Sequence, residues 1–299
     1  MKLTRKFNIQ LGIAIALLII IGVSINNLVI NLIRTNMGIN FQWLLHPSGF
    51  ALSEYLLPYS PSDSYAWALF MGWLNSLKVI TCGLILSTIL GIASGVSRIS
   101  KNILLRRVSG SYVALIRQVP LLLQLFFWYF VAFLGISETP LAPLGRIIYI
   151  SNKGINFLGL NLSVEFSALL VGLSIFTGAS IAEVVRGGLN SVPRGQWEAF
   201  RSLGISDGYG LRKVVLPQAL PAIIPGLTSQ YLNLAKNSTL AIAVGYADLY
   251  AVSDTTITQT GRAIEGFVLL LLSFLLLNLI ISGIMEIINR IVLKSQHDS

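Results

Sequence analysis

Leu11 to Ile30 is an apolar run of about twenty residues, long enough as a helix to cross the roughly 30 Å hydrocarbon core of a bilayer. Further runs of similar character recur along the chain, at about 67–96, 111–134, 164–185, 218–244 and 266–288. Inside a bilayer every backbone N–H and C=O must find a partner within the protein, which leaves helices as the solution for segments of this length. The expected fold is therefore an all-α polytopic membrane protein with about six transmembrane helices, and further division of the loops into eight stays open. Composition agrees: 54% of the residues are hydrophobic and 11% charged, less than half the charged fraction of a soluble domain.

The first run follows Lys2, Arg5 and Lys6 and is too long for a signal-peptide core, and no small-residue cleavage site follows it. It reads as a retained signal-anchor helix, and residues 1–66 as that helix plus an external segment containing "LLPYSPSDS". Residues 67–292 form the main membrane domain and 293–299 a short tail. The stretch Ser137 to Ser163 reads as loop. Within the third run, Pro120 is expected to kink or restart the helix. Gly91 and Gly95 form a small-xxx-small pair that suits close helix packing.

The net charge of +9 would suggest nucleic acid in a soluble chain, but here it reports orientation. With the N-terminus inside, the cytoplasmic set is Lys2, Arg5, Lys6, Arg98, Lys101, Arg106, Arg107, Arg186, Arg194, Arg201, Arg212, Lys213, Arg290 and Lys294. The opposite side holds only Arg34, Arg146, Lys153 and Arg262. Both termini and the polar stretch around 187–217 are thus expected in the cytoplasm. A single cysteine, Cys82, excludes an internal disulfide, and the two histidines, His46 and His297, stand far apart and give no basis for a metal site. No catalytic constellation is legible.

That polar stretch, "QWEAFRSLGISDGYGLRKVVLPQAL", carries helix punctuation. Pro193 suits a first helical turn, Gly204 the left-handed position past a helix end, and Ser206 the cap of a second short helix running to Leu216, after which Pro217 begins the return to the membrane. On a helical wheel Trp197, Ala199, Phe200 and Leu203 fall on one side and Arg194, Glu198 and Arg201 on the other. Such a helix either rests on lipid headgroups or docks a soluble partner.

Glu198-Ala199, Gly204, Val214, Leu216 and Pro217 fit the pattern E-A-A-x3-G-x9-I-x-L-P, with Phe200 in place of the second Ala and Val214 in place of Ile. This resembles the cytoplasmic coupling loop of ABC importer permeases. The runs "YVALIRQVPLLLQLFFWYF", "SIAEVVRGGLNSVPRGQWEAF" and "LAKNSTLAIAVGYADL" resemble polar amino acid importer permeases, most of all the general L-amino acid branch, over residues 27–292. The resemblance implies the type I ABC importer permease fold in a bacterial plasma (inner) membrane, with Glu198, Ala199, Arg201, Gly204, Leu216 and Pro217 in the ATPase-coupling element. It implies partners: an ATP-binding subunit dimer that holds ATP and Mg, a second and homologous permease subunit, an external solute-binding protein, and an L-amino acid as substrate. Lipid surrounds the chain, and nucleic acid is not expected. No phosphate-cradling G-x-x-x-x-G-K-[ST] loop occurs, so this chain is expected to be no ATPase.

Ionisable side chains inside spans are costly and mark paths or pairs. Lys236, with Asn237, Ser238 and Thr239, sits in a run that Pro221, Pro225, Gly226 and Gly245 can bend, and these four are the candidate substrate-binding residues. The competing reading has Lys236 snorkel or pair with Glu265 or Asp248. Some relatives that carry basic amino acids have Asp at the position of Asn237, so Asn237 suits neutral and acidic substrates. Arg117 either lines the cytoplasmic half of the pathway or simply ends its span from inside, the structural role being favoured, and Glu183 and Arg186, an i, i+3 pair, are candidates for gating or shape. The alternative class is an ion-coupled secondary amino acid transporter.

Overall fold

The computed structural model describes residues 2–34, 38–136, 141 and 147–297, and it divides into two compact units, Met1–Trp43 and Leu44–Ser299. The first unit is built on α1, Lys2–Arg34, whose stretch Ile9–Asn31 is apolar on all sides, as a helix surrounded by lipid requires. Arg146, counted above on the external side, lies outside the described residues.

The second unit centres on α2 (Tyr65–Ser97) and α5 (Val164–Asn190). Both start at serine caps: Ser64 Oγ accepts the Trp67 N–H and Ser163 Oγ accepts the Phe166 N–H. Their contact runs along the glycine pair. A Cβ at Gly91 would stand 2.3 Å from Ile181 Cγ2, and one at Gly95 2.7 Å from Val185 Cβ. The two helices meet this closely because those positions carry no side chain. Gly91→Val is accordingly expected to lower stability by about 3 kcal/mol. Thermal unfolding of the purified chain in detergent checks this, and a melting curve like that of the parent would refute the packing argument.

α8, Leu216–Asn237, lies on the other flank of α5, where the same device recurs: a Cβ at Gly188 would meet Ile223 at 2.3 Å, and one at Gly226 would meet Val184 at 2.5 Å. After α8 the chain tightens into a 3-10 helix, Ser238–Val244, turns at Gly245 and continues as α9, Leu249–Thr260, capped by Asp248. The last helix, α10, is Ala263–His297.

Among the described residues, four helices are long and apolar enough to cross a membrane, or five if one bent pair counts as a span. That pair is α3 (Ile103–Gln118) and α4 (Leu121–Phe126, extended in π-helical form through Phe133), which meet at 106° across Val119 and Pro120. Pro120 restarts the helix as its chemistry requires, but with a turn far sharper than a kink. The six-span reading also counted 218–244, where the structure has 22 residues of helix in α8. Gln230, Asn233, Lys236 and Asn237 are among the polar side chains of this helix, and they face a cavity described below.

The stretch read as loop, 137–163, holds instead a three-stranded antiparallel sheet: β1 Ile148–Ser151, β2 Gly154–Phe157 and β3 Leu160–Leu162, in that order. Ile148 pairs with Phe157 and Ile155 with Leu162. The second turn places Leu158 and Gly159 at φ 50° and 87°, the two positive angles of a tight hairpin turn. A leucine there hides the signal that Asn-Gly would give.

The segment before α2 is tied down by side chains. Asn75 Nδ2 donates to the backbone carbonyls of Glu54 and Ala247, both at 2.8 Å. The Glu54 carboxylate pairs with Lys78 and accepts from Ser163 Oγ at 2.5 Å. Lys78 also lies over the Phe166 ring, 4.1 Å from its centre. A charge inside α2 is thereby satisfied by a residue that sequence order places 24 positions away.

Candidate functional site

A polar cavity of about 370 Å³ opens between α3, α5 and α8. Arg117 lines it from the last turn of α3, Phe176, Thr177 and Ser180 from α5, and Gln230, Asn233, Lys236 and Asn237 from α8. The α8 residues recur at helical spacing and so share one face. Lys236 and Asn237 end the helix where it passes into the 3-10 segment. Of the four substrate-binding candidates, these two reach the cavity. Ser238 is buried, and its hydroxyl donates to the Ala235 carbonyl at 2.9 Å; Thr239 Oγ1 donates to the Lys236 carbonyl at 2.8 Å. Both hydroxyls thus hold the helix end rather than line the space. Gln230, Asn233, Thr177 and Ser180 were missed in the sequence, though a polar stripe of period three to four within an apolar run was there to be read.

Lys236 forms no ion pair among the described residues. Neither of its suggested partners reaches it: Asp248 caps α9 through the Ala251 N–H, and Glu265 pairs with Arg262 at 3.3 Å.

Glu183 gathers three guanidinium groups. Arg98, at the C-terminal end of α2, contacts Oε1 directly. Arg186 reaches Oε2 at 2.9 Å as the i, i+3 pair expected from sequence, and Arg117 stands 3.8 Å from Oε1. The carboxylate thus joins the ends of α2 and α3 to α5, next to the cavity.

The second locus is the polar stretch after α5. α6, Arg194–Ser202, begins at Pro193 and ends in the left-handed turn at Gly204, φ 73°. Phe200 is buried among Val192, Val215, Ala219 and Ile223, with Trp197 beside it. Ala199 and Leu203, placed on that same side by the wheel, face outward instead, Leu203 with 77% of its surface exposed. The contact is narrower than the wheel suggested, because only one turn of the helix touches the protein. Glu198, Ala199, Ser202 and Leu203 form its free side.

Ser206 stands at the N-cap of α7, Asp207–Gly210, but its hydroxyl makes no cap bond. The second helix does not stop at Leu216 either. It passes through a π-helical stretch, Leu211–Val215, directly into α8. Pro217 cannot donate an N–H, and the wider π turn just before it relieves the ring's conflict with the preceding carbonyls. The return to the membrane is therefore one continuous helical run from Asp207 to Asn237, with Pro221 and Pro225 in its interior, that links the stretch to Lys236. Leu216 packs with Phe200's cluster, and Pro217 is exposed.

An ion triad fixes the loop. Asp207 accepts from Arg201 Nε at 2.8 Å and from Lys101 Nζ at 2.6 Å, and these two cations hold its carboxyl below the usual carboxylate range. Arg201 also lies 5.6 Å from the centres of the Trp197 and Phe200 rings. Through Lys101 the loop is tied to the connection between α2 and α3.

The chain is similar to known proteins in sequence and fold. The family described as "Binding-protein-dependent transport system inner membrane component" matches residues 83–294. The general L-amino acid transport system permease protein AapQ of Rhizobium johnstonii is 34% identical, with 84% of each chain covered. The glutamate/glutamine/aspartate/asparagine transport system permease protein BztB of Rhodobacter capsulatus is 30% identical over 96% of this chain and 94% of its own. Among solved structures, an amino acid ABC transporter crystallised with histidines aligns with TM-score 0.60 and 26% identity, covering 76% of this chain and 94% of that one.

Proposed function

The chain belongs to the family of binding-protein-dependent transport system inner membrane components, and from that premise we propose which of its residues meet substrate and partner. It is an ABC importer permease for amino acids, a multi-pass transport subunit of the inner membrane rather than an enzyme, with ATP hydrolysed on a separate subunit. The ion-coupled alternative falls with that assignment. Partners of the family's general kind follow: an ATPase and a solute-binding protein.

The cavity holds the amino acid in our reading, with Lys236 meeting its carboxylate and Asn237 bounding its side chain. The observation that carries this is the ammonium of Lys236, without an ion pair among the described residues, set with Arg117 among neutral hydrogen-bonding groups in a space of small-molecule size. The substrates that fit are neutral and acidic L-amino acids; the name of BztB gives glutamate, glutamine, aspartate and asparagine for that protein, and the name of AapQ gives general L-amino acids for that one. The free side of α6, around Glu198, is the part that enters the ATPase dimer, which carries ATP and Mg, and the helical run from Asp207 to Asn237 links that contact to the cavity. Basic residues concentrated on this side support a cytoplasmic loop and cytoplasmic termini. A second, homologous permease completes the pathway.

Asn237→Asp places a carboxylate in the cavity and is expected to raise competition by arginine or lysine about tenfold, the effect of one charged hydrogen bond. Inhibition of labelled amino acid uptake in cells measures it. Unchanged competition removes Asn237 from the specificity argument.

A further inference from the structure

The cavity carries a charge imbalance. Arg117 and Lys236 both line it, and every other lining side chain is neutral. The Arg117 side chain is half exposed and Lys236 is exposed, so both cations stay open to an anion that enters the cavity. Lys236 has no counter-ion among the described residues, and Arg117 has the loosest of the three contacts to Glu183. Arg98 and Arg186 keep that carboxylate paired if Arg117 leaves. The Arg117 side chain is 51% exposed, against 39% for Arg186 and 19% for Arg98, so Arg117 is the most loosely held member of the cluster.

Resting on the assignment of this cavity to the amino acid, we propose that Arg117 is a specificity-determining residue that receives a second carboxylate. Lys236 takes the α-carboxylate of the substrate, and Arg117 turns from Glu183 to the side-chain carboxylate of a dicarboxylic amino acid. The planar guanidinium offers a carboxylate two parallel N–H donors, a match that an ammonium does not supply. An amino acid with two carboxylates and one ammonium satisfies both cations. A neutral side chain leaves Arg117 on Glu183, and a basic one adds a third cation. The site thus ranks acidic above neutral above basic substrates.

The test is binding of glutamate and of glutamine to the purified full importer, each followed by calorimetry, for the parent and three variants. Arg117→Gln is expected to weaken glutamate about tenfold while shifting glutamine by less than about twofold. Arg117→Lys, which keeps the charge, is expected to retain part of the preference and guards against a fault in assembly, which size-exclusion chromatography monitors. Lys236→Gln is expected to weaken both ligands alike. Equal loss of both ligands in Arg117→Gln, or no loss of either, overturns the role of Arg117 while leaving the cavity assignment standing. Unchanged binding of both ligands in Lys236→Gln overturns the cavity assignment itself, and this proposal with it.

Discussion

Replacing Glu198 with arginine is expected to cut ATP-driven uptake by about a hundredfold while the membrane-embedded helices stay folded, because removing one partner of a charged docking contact typically costs about 3 kcal/mol or more. Glu198 lies on the free side of α6, while Phe200 on the other side provides the packing that holds the helix. The substitution leaves that packing untouched and reverses the charge presented to the ATPase. The carboxylate of Asp207 is already engaged by Arg201 and Lys101, so the new arginine finds no free counter-ion in that triad. Uptake into proteoliposomes, with ATP hydrolysis measured in parallel, gives the result. Hydrolysis that continues while uptake stops shows that Glu198 transmits the stroke, and loss of the ATPase from the purified complex shows that it holds the contact. Uptake at the parent level would remove Glu198 from the coupling element.

Much of this loop was legible because its signals are local. Pro193 and Gly204 mark the ends of α6 by backbone chemistry alone, and both stand at its ends in the structure. Gly91 and Gly95 were equally plain, since a spacing of four puts both on one helix face. Local signals also misled. Ser206 and Pro217 suggested a short second helix, and the π-helical stretch between them, which carries the chain past the proline, has no sequence marker. The sheet at 148–162 was missed because its hairpin turn uses Leu158 at a positive φ, a residue that propensity would place elsewhere.

The cavity was half legible for a related reason. Lys236 and Asn237 stand out because charge and amide are rare within a span. Their meeting with Arg117 depends on how α3, which ends just before the 106° turn at Pro120, packs against α5. Arg98 and Glu183 are 85 positions apart, and no spacing rule joins them. What a single sequence yields at such sites is the list of costly residues, and the tertiary fold decides which of them share a counter-ion.

Gly210→Ala tests how the chain accommodates its departure from the family pattern at Phe200. Gly210 has ordinary helical angles, φ −61° and ψ −42°, so alanine there is favoured by about 1 kcal/mol on helix propensity alone. A Cβ at this position, however, would stand 2.4 Å from Phe200 Cδ2 and Cε2. The aromatic ring occupies the space that glycine leaves open, and α6 is seated on the rest of the chain by that ring. Gly210→Ala is therefore expected to destabilise by about 2 kcal/mol, the usual cost of overpacking, reversing the sign that propensity dictates. Phe200→Ala alone opens a void and is expected to cost about 3 kcal/mol or more. In the double variant the new methyl groups no longer collide with a ring, so its loss is expected to fall well below the sum of the two single losses, with a coupling of about 2 kcal/mol. Thermal unfolding of the four proteins in detergent completes the cycle. Strict additivity, or a stabilised Gly210→Ala, would mean that Phe200 is not what Gly210 makes room for.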